Sequence, residues 1–312
     1  MEIQNVNAVT RFEQAAALLP YEFRRQTELL GPEEKAVVEE IRLRVGHPLM
    51  LAGPSGECPV GRGEEVRLRP GDLSSVLEVA SQASAHTVLD QVRNGFITIR
   101  GGHRMGLCGS AVVKDGQIYN FKTISSLTLR IAKEIPGVSQ PVLPLLWESG
   151  QLQSSLVISP PGCGKTTLLR DLIRSISYGV GCSPLRVGVA DERGELAAMY
   201  DGVPMADVGP RTDVIDGCPK GAALLMLLRG MNPQVLATDE ITDPSDAEAL
   251  EQAFGCGVAL LCTAHGGSVD EMHRRPVYRR LLSEGVFKKA VLIERRGSTR
   301  YYHVENMERN TL

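Results

Sequence analysis

The sequence predicts an α/β protein: a C-terminal core built on a parallel sheet, preceded by a smaller α+β domain. Three observations support that division. From Leu152 onward, apolar runs of strand length alternate with segments of helical length, the order in which a parallel sheet and its crossover helices are written. From about residue 35 to 135 the chain holds short extended segments broken by Gly and Pro, as an antiparallel sheet does. Between these halves, Pro136–Pro144 carries three prolines. The expected boundaries are 1–135 for the first domain, 136–150 for a linker and 151–312 for the core.

In the first domain, Glu40–Val45 alternates apolar and charged residues with a period of two, the pattern of a half-buried strand. Pro70–Asn94 reads as helical. Phe96–Arg100 repeats the alternation and runs into Gly101-Gly102. Met105–Val113 and Gln117–Phe121 are joined by Lys114-Asp115-Gly116, whose Asp-Gly pair favours a hairpin. In the core, strands are expected at Leu156–Ile158, Arg186–Ala190, Val235–Thr238 and Val258–Thr263. A closing hairpin pairs Ala290–Glu294 with Tyr301–Val304 about a turn at Arg295–Ser298. Asp243 is placed to cap a helix with Pro244 at its first position and Asp246 in its first turn.

The first core strand leads into Ser159-Pro-Pro-Gly-Cys-Gly-Lys-Thr-Thr167 and then an amphipathic helix. This is a phosphate-binding loop. Its turn points successive backbone N–H groups inward, and the N-terminus of the next helix adds partial positive charge. Ser159, Pro160, Pro161, Gly162, Cys163, Gly164, Lys165, Thr166 and Thr167 are therefore assigned to a nucleoside triphosphate. Lys165 would reach the β- and γ-phosphates, and the Thr166 hydroxyl would ligate Mg²⁺. The pattern G-x-x-x-x-G-K-T has Gly at its first position, where this chain has Ser159. Gly162 and Gly164 remain where backbone must approach phosphate.

Pro233–Glu240 is an apolar strand ending in Asp-Glu, the expected partner of such a loop. Asp239 would hold Mg²⁺ through water, and Glu240 would orient and deprotonate the attacking water. Three further groups fall near these strand ends. Asp191–Glu195 is an acidic run that could face metal-linked water or a neighbouring subunit. Thr263-Ala-His265 would bring a polar side chain near the γ-phosphate. Arg229 could sense charge or form a salt bridge. The catalytic candidates are thus Lys165, Arg229, Glu240 and His265, with Thr166 and Asp239 for the metal.

Composition narrows the partners. A net charge of −3 and only 4% aromatic residues give little basis for gripping or stacking on nucleic acid. No apolar run approaches the roughly 20 residues that span a bilayer. Ala15–Leu19 is too short for a secretory leader. The seven cysteines are isolated and form no C-x-x-C pair, so neither a disulfide framework nor a zinc site is expected, and a reducing cytosol fits. Any membrane role would be peripheral.

Taken together, the phosphate loop, the acidic box Asp191–Glu195, Leu228-Arg229…Pro233 and Thr263–His265 resemble the stations of the secretion ATPase superfamily. The resemblance implies a RecA-like, additional-strand P-loop NTPase core, a class it shares with AAA+ proteins. A strand in sequence between the P-loop strand and the Asp-Glu strand, Arg186–Ala190, agrees. Glu40–Pro48, Gly95–Gly109, Val189–Arg193 and Asp213–Lys220 further resemble the stage III sporulation protein AA family. That narrower resemblance implies ATP and Mg²⁺ as cofactors, and hydrolysis that powers or assembles a secretion or channel complex in endospore formation. It also implies a cytoplasmic, membrane-peripheral homo-oligomer, as a hexameric ring, in which an arginine of the first domain or linker reaches a neighbour's γ-phosphate. Arg93, Arg100, Arg104 and Arg130 are the candidates. Two other readings stay open: a RecA-like nucleic-acid-dependent ATPase, and a nucleotide-gated scaffold with little turnover.

Overall fold

A computed structural model of the chain describes residues 2–61, 66–81, 96–114, 116–297 and 299–307. Residues 82–94 of the expected helix, Arg93 among them, lie outside the described residues, as do Gly95 and, in the expected turns, Asp115 and Ser298. The chain forms two compact units. The first comprises Met1–Glu134 together with Ala198–Met205; the second comprises Ile135–Ala197 and Ala206–Leu312.

The first unit begins with three helices, α1 (Glu2–Ala16), α2 (Tyr21–Glu28) and α3 (Pro32–Val37). Its sheet contains β1 (Glu40–Arg44), β2 (Met50–Gly53), β3 (Gly56–Pro59), β4 (Phe96–Ile99), β5 (His103–Lys114) and β6 (Gln117–Arg130), with α4 (Pro70–Ala80) between β3 and β4. The order is β3-β2-β1-β6-β5-β4, and every pairing is antiparallel. The period-two reading of β1 corresponds to burial of Ile41 and Leu43 between half-exposed neighbours. These two join Phe12, Phe23, Leu73, Met105 and Leu129 in one core.

A polar cluster ties this unit together. Arg11 of α1 donates to the carbonyl of Gly101 at 2.6 Å, to Glu134 Oε1 at 2.8 Å and to the carbonyl of Met205 at 3.4 Å. Gly102 must be glycine: its φ is +74°, and a Cβ there would stand 3.2 Å from that of Met205. His103, fully buried, accepts the Ala132 N–H at Nδ1 (3.1 Å), while its Nε2 has no hydrogen-bond partner among the described residues. Burial, with the Arg11 charge adding to it, pushes the imidazole down to about 4.

The sheet of the second unit contains β7 (Ser155–Ser159), β8 (Val187–Asp191), β9 (Thr212–Asp216), β10 (Val235–Thr238), β11 (Ala259–His265), β12 (Lys289–Arg296) and β13 (Thr299–Asn306). Its order is β9-β8-β10-β11-β7-β12-β13, parallel throughout except for the closing hairpin β12–β13. The helices are α5 (Lys165–Tyr178), α6 (Lys220–Gly230), α7 (Pro244–Gly255), α8 (Val269–Arg274) and α9 (Pro276–Ser283). Leu156 and Ile158 of β7 enter the apolar cluster filled by α6, α7 and α9. Val157 between them is equally buried outside that cluster, as befits a strand covered on both faces.

The strand expected in sequence between β7 and β10 is β8, which lies beyond β10 in space, while β11 separates β7 from β10. The structure departs from the sequence reading in two places. A strand not anticipated, β9, pairs with β8 from Val187↔Thr212 to Asp191↔Asp216. The segment expected as a linker packs within the second unit. The N–H groups of Gly137 and Ser139 donate to the Asp171 carboxylate of α5 at 3.0 and 2.7 Å, and Val142, Leu143 and Leu146 are buried.

Candidate active site

The phosphate loop spans the gap between β7 and α5. Gly162 and Gly164 adopt φ of +74° and +100°, conformations that glycine supplies without strain. Gly164 is the N-cap of α5 and brings no side-chain cap, so the helix N-terminus presents its free N–H groups to whatever enters the loop. Ser159 does not have a positive φ, which is why serine is tolerated where the motif has glycine. Its side chain is buried and donates to the Pro160 carbonyl at 3.1 Å. Pro160, Pro161 and Gly162 are exposed, Cys163 and Thr167 half-buried. Arg300 of β13 donates from Nε to the Cys163 carbonyl at 2.9 Å. In a trans peptide, a carbonyl held on one side directs the following N–H, that of Gly164, to the other.

Lys165 is only 6% exposed. Its ammonium donates to the Ser159 carbonyl at 3.0 Å and to the Pro160 carbonyl at 3.4 Å, and it lies 2.6 Å from His265 Nδ1. Burial pushes the ammonium down, while Asp239 pulls it back. The Thr166 hydroxyl donates to Asp239 Oδ2 at 3.1 Å. The other Asp239 oxygen accepts from the Thr263 hydroxyl at 2.5 Å, and Thr263 in turn accepts the Glu240 N–H at 2.9 Å. Burial pushes the Asp239 carboxyl up; the Thr263 hydrogen bond opposes this, and the nearby Glu195 charge adds to it.

Glu240 follows Asp239 at the strand end and lines the same cleft. Its carboxylate meets His265 Nε2 and lies 3.9 Å from Arg193 Nη1. Burial, then the Lys165 charge, push His265 down, so its imidazole is neutral near pH 7. Glu240 has φ +29°, a region that non-glycine residues rarely occupy.

The acidic box divides by role. Asp191, 1% exposed, accepts the N–H groups of Glu195, Leu196 and Ala197 at 2.8 to 3.1 Å. Its oxygens hold the turn, so within the run expected to meet metal-linked water or a neighbouring subunit Asp191 is committed to main-chain N–H groups. Glu195 lies near enough to Asp239 for its charge to push that carboxyl up. Arg170 of α5 fastens the turn to the phosphate-loop helix by donating to the carbonyls of Glu195 and Leu196. Asp191, Glu192, Arg193, Glu195, Lys220, Asp239 and Glu240 line one small cleft open to solvent.

Arg229 is corrected. It is exposed in the last turn of α6, nine residues beyond Lys220 and about 13 Å along the helix axis. Because α6 begins at the cleft, its other end points away from it. Of the first-unit arginines, Arg100 and Arg130 are exposed and Arg104 stacks over the Phe96 ring at 3.7 Å. The residue that the sequence reading passed over is Lys220, buried at the start of α6 with Nζ 2.6 Å from the Glu240 carbonyl oxygen. The segment Asp213–Lys220 carries resemblance only and gives Lys220 no role, since its partner lies twenty residues away.

A family model described as "Sporulation stage III, protein AA" matches residues 10–304. The chain is 35% identical over 285 residues to "Stage III sporulation protein AA" of Bacillus subtilis (strain 168), a match covering 90% of this chain and 90% of that one. Among solved structures it is similar to the ATPase DotB of Legionella pneumophila, with a TM-score of 0.59 and 17% identity over 94% of this chain and 82% of that one. It is similar also to the pilus retraction motor PilT with bound ADP, with a TM-score of 0.60 and 17% identity over 87% of this chain and 80% of that one. At these identities the two structures bear on the fold alone: the core is a RecA-like P-loop NTPase fold.

Proposed function

The chain belongs to the sporulation stage III protein AA family, and on that premise we propose that it is an ATPase acting on Mg-ATP between the phosphate loop and the Asp239–Glu240 strand end. The observation that carries this reading is the 3.1 Å hydrogen bond from Thr166 to Asp239, which joins the two halves of the site at the point where a cation would be shared. A hydroxyl and a carboxylate are the hard oxygen donors that Mg²⁺ prefers, and burial beside Glu195 leaves Asp239 in need of positive charge. Thr166 and Asp239 would hold the ion, whose charge offsets that of the triphosphate.

The protein's own groups supply the rest. Main-chain N–H groups of the loop and of the first turn of α5 hold phosphate oxygens. Lys165, released from the Ser159 carbonyl, adds its charge to them. Glu240 accepts the proton of the attacking water. Neutral His265 accepts from Lys165 at Nδ1, and its Nε2 lies against the Glu240 carboxylate, keeping cation and base in register.

We place this activity in service of a membrane-associated secretion or channel complex in endospore formation, on its cytosolic face. We take the working form to be a homo-oligomer, a hexameric ring. The family supports the sporulation context, and the names of the similar structures, an ATPase and a pilus retraction motor, support the mechanical one. Among the described residues no helix is long and apolar enough to cross a membrane.

The test is a pair of variants. Lys165→Ala is expected to abolish ATP binding, whereas Glu240→Gln keeps binding and loses about 100-fold or more in turnover. Wild-type turnover in both refutes the site. A wild-type rate near zero at saturating Mg-ATP would favour the scaffold reading, and stimulation by single-stranded DNA the nucleic-acid one. Light scattering with and without a non-hydrolysable analogue separates a ring from a monomer.

A further inference from the structure

Lys220 is a buried cation that the phosphate loop does not explain. It is the first residue of α6, follows the uncapped Pro219, and is 3% exposed. Both features disfavour a lysine: a helix N-terminus repels positive charge, and an ammonium is costly to remove from water unless its donors are met. Here the site meets them. Nζ donates to the Glu240 carbonyl at 2.6 Å and lies 3.5 Å from Glu192 Oε2.

Glu240 is the residue that needs holding. At φ +29° it occupies a region that L-residues seldom adopt, and such conformations persist only where their surroundings enforce them. The peptide groups on both sides of it are pinned, its N–H by the Thr263 hydroxyl at 2.9 Å and its carbonyl by Lys220. The anchor itself is fixed. The Gly221 N–H donates to Asp246 Oδ1 at 3.2 Å, and a Cβ on Gly221 would stand 2.9 Å from the Ser245 carbonyl, so α6 abuts α7 with no room for a side chain. The same Asp246 carboxylate accepts the N–H groups of Thr242 and Asp243, where the chain leaves Glu240.

We infer that Lys220 is a positioning residue for the proposed hydrolysis: by gripping the Glu240 carbonyl it keeps that residue left-handed and its carboxylate aimed at His265 and the cleft. The kinetic consequence rests on the ATPase reading; the geometric one does not.

The experiment reads both. In nucleotide-free protein, Lys220→Met is expected to speed amide hydrogen exchange at Glu240 and Ile241 by about tenfold, with Arg229→Ala as an unaffected control. In turnover it is expected to lower kcat about 100-fold while nucleotide Kd stays within about threefold. Added to Glu240→Gln, it should lower the residual rate by less than about twofold, since the two act as one unit. Unchanged exchange, a wild-type kcat, or losses that multiply in the double variant would each overturn the role. If the methionine variant lacks a cooperative melt, Lys220→Gln is read instead. Keeping a donor but no charge, it should speed exchange by about threefold, and wild-type exchange with wild-type kcat overturns the inference. Responsive exchange in a wild-type chain that does not hydrolyse ATP would leave the geometry standing and sink the ATPase reading. Normal hydrolysis with unresponsive exchange would do the reverse.

Discussion

The ammonium of Lys165 lies 2.6 Å from Nδ1 of His265, and the far nitrogen of that ring meets the carboxylate of Glu240. An ammonium can only donate, so Nδ1 accepts and the proton of the neutral ring resides on Nε2. Lysine, imidazole and carboxylate therefore form one chain of contacts, from the residue assigned to phosphate to the residue assigned to water.

Breaking that chain should separate chemistry from binding. His265→Ala is expected to lower kcat about 100-fold while ATP Kd changes only a few-fold, as measured by single-turnover hydrolysis and equilibrium titration. In the wild type, protonating the ring removes the acceptor at Nδ1. Since burial and Lys165 hold His265 below its ordinary value of 6.5, the acid limb of kcat is expected below pH 6.5. An acid limb above that value would contradict the assignment.

Cys163 lies inside the phosphate loop, half-buried, with its carbonyl held by Arg300. A small thiol reagent should inactivate the protein, ATP should protect it, and Cys163→Ser should remove the sensitivity. Arg300→Ala frees the Cys163–Gly164 peptide and should weaken nucleotide binding by about tenfold, the worth of one net hydrogen bond. Full activity after confirmed modification of Cys163 would show that the loop does not close on its ligand.

Asp171 of α5 is 4% exposed and accepts from Gly137 and Ser139 main-chain N–H groups and from Arg174. Burial alone would push its carboxyl up, but the hydrogen bonds from Ser139, Gly137 and Arg174 prevail and hold it below 3.8. Its contribution to stability is therefore present above that pH and lost as pH falls through the lower, folded value. Asp171→Asn is expected to cost about 2 kcal/mol in denaturant unfolding at pH 7. The gap between variant and wild type should narrow below pH 3.8.

His103 gives the first unit its own pH dependence. Its folded value of about 4 lies beneath the ordinary 6.5, so between those limits the unfolded chain takes up a proton that the fold refuses. Stability should fall by roughly 3 kcal/mol as pH drops through that window. His103→Asn, which keeps an acceptor for the Ala132 N–H and does not titrate, should flatten the slope. An unchanged slope would mean that His103 is not the group responsible.

What the sequence disclosed follows from how local each signal is. β7, β10 and β11 are buried apolar runs flanked by turn residues, and Gly164-Lys165-Thr166 fixes its own geometry, so both could be read directly. β9 could not. Thr212–Asp216 is half-exposed to exposed and its polar residues, at 212, 213 and 216, do not alternate with the apolar pair at 214 and 215, so only its pairing with β8 makes it a strand. α1 packs through Phe12, Ala15 and Ala16, of which the two alanines give little periodic contrast. The 136–150 segment looked like a linker because prolines punctuate it. Its attachment to Asp171 depends on a carboxylate more than thirty residues away. Arg229 and Lys220 bracket the same helix, and sequence gave no way to tell which end would meet the acidic strand.

The eight residues Ala198–Met205 belong with the first unit although the chain on either side of them belongs to the second. No gene fragment ending at Glu134 can therefore encode a whole first unit. It would lack the Met205 carbonyl that Arg11 grips and the wall against which Gly102 is packed. A complementary fragment starting at Ile135 would carry that stretch as an orphan.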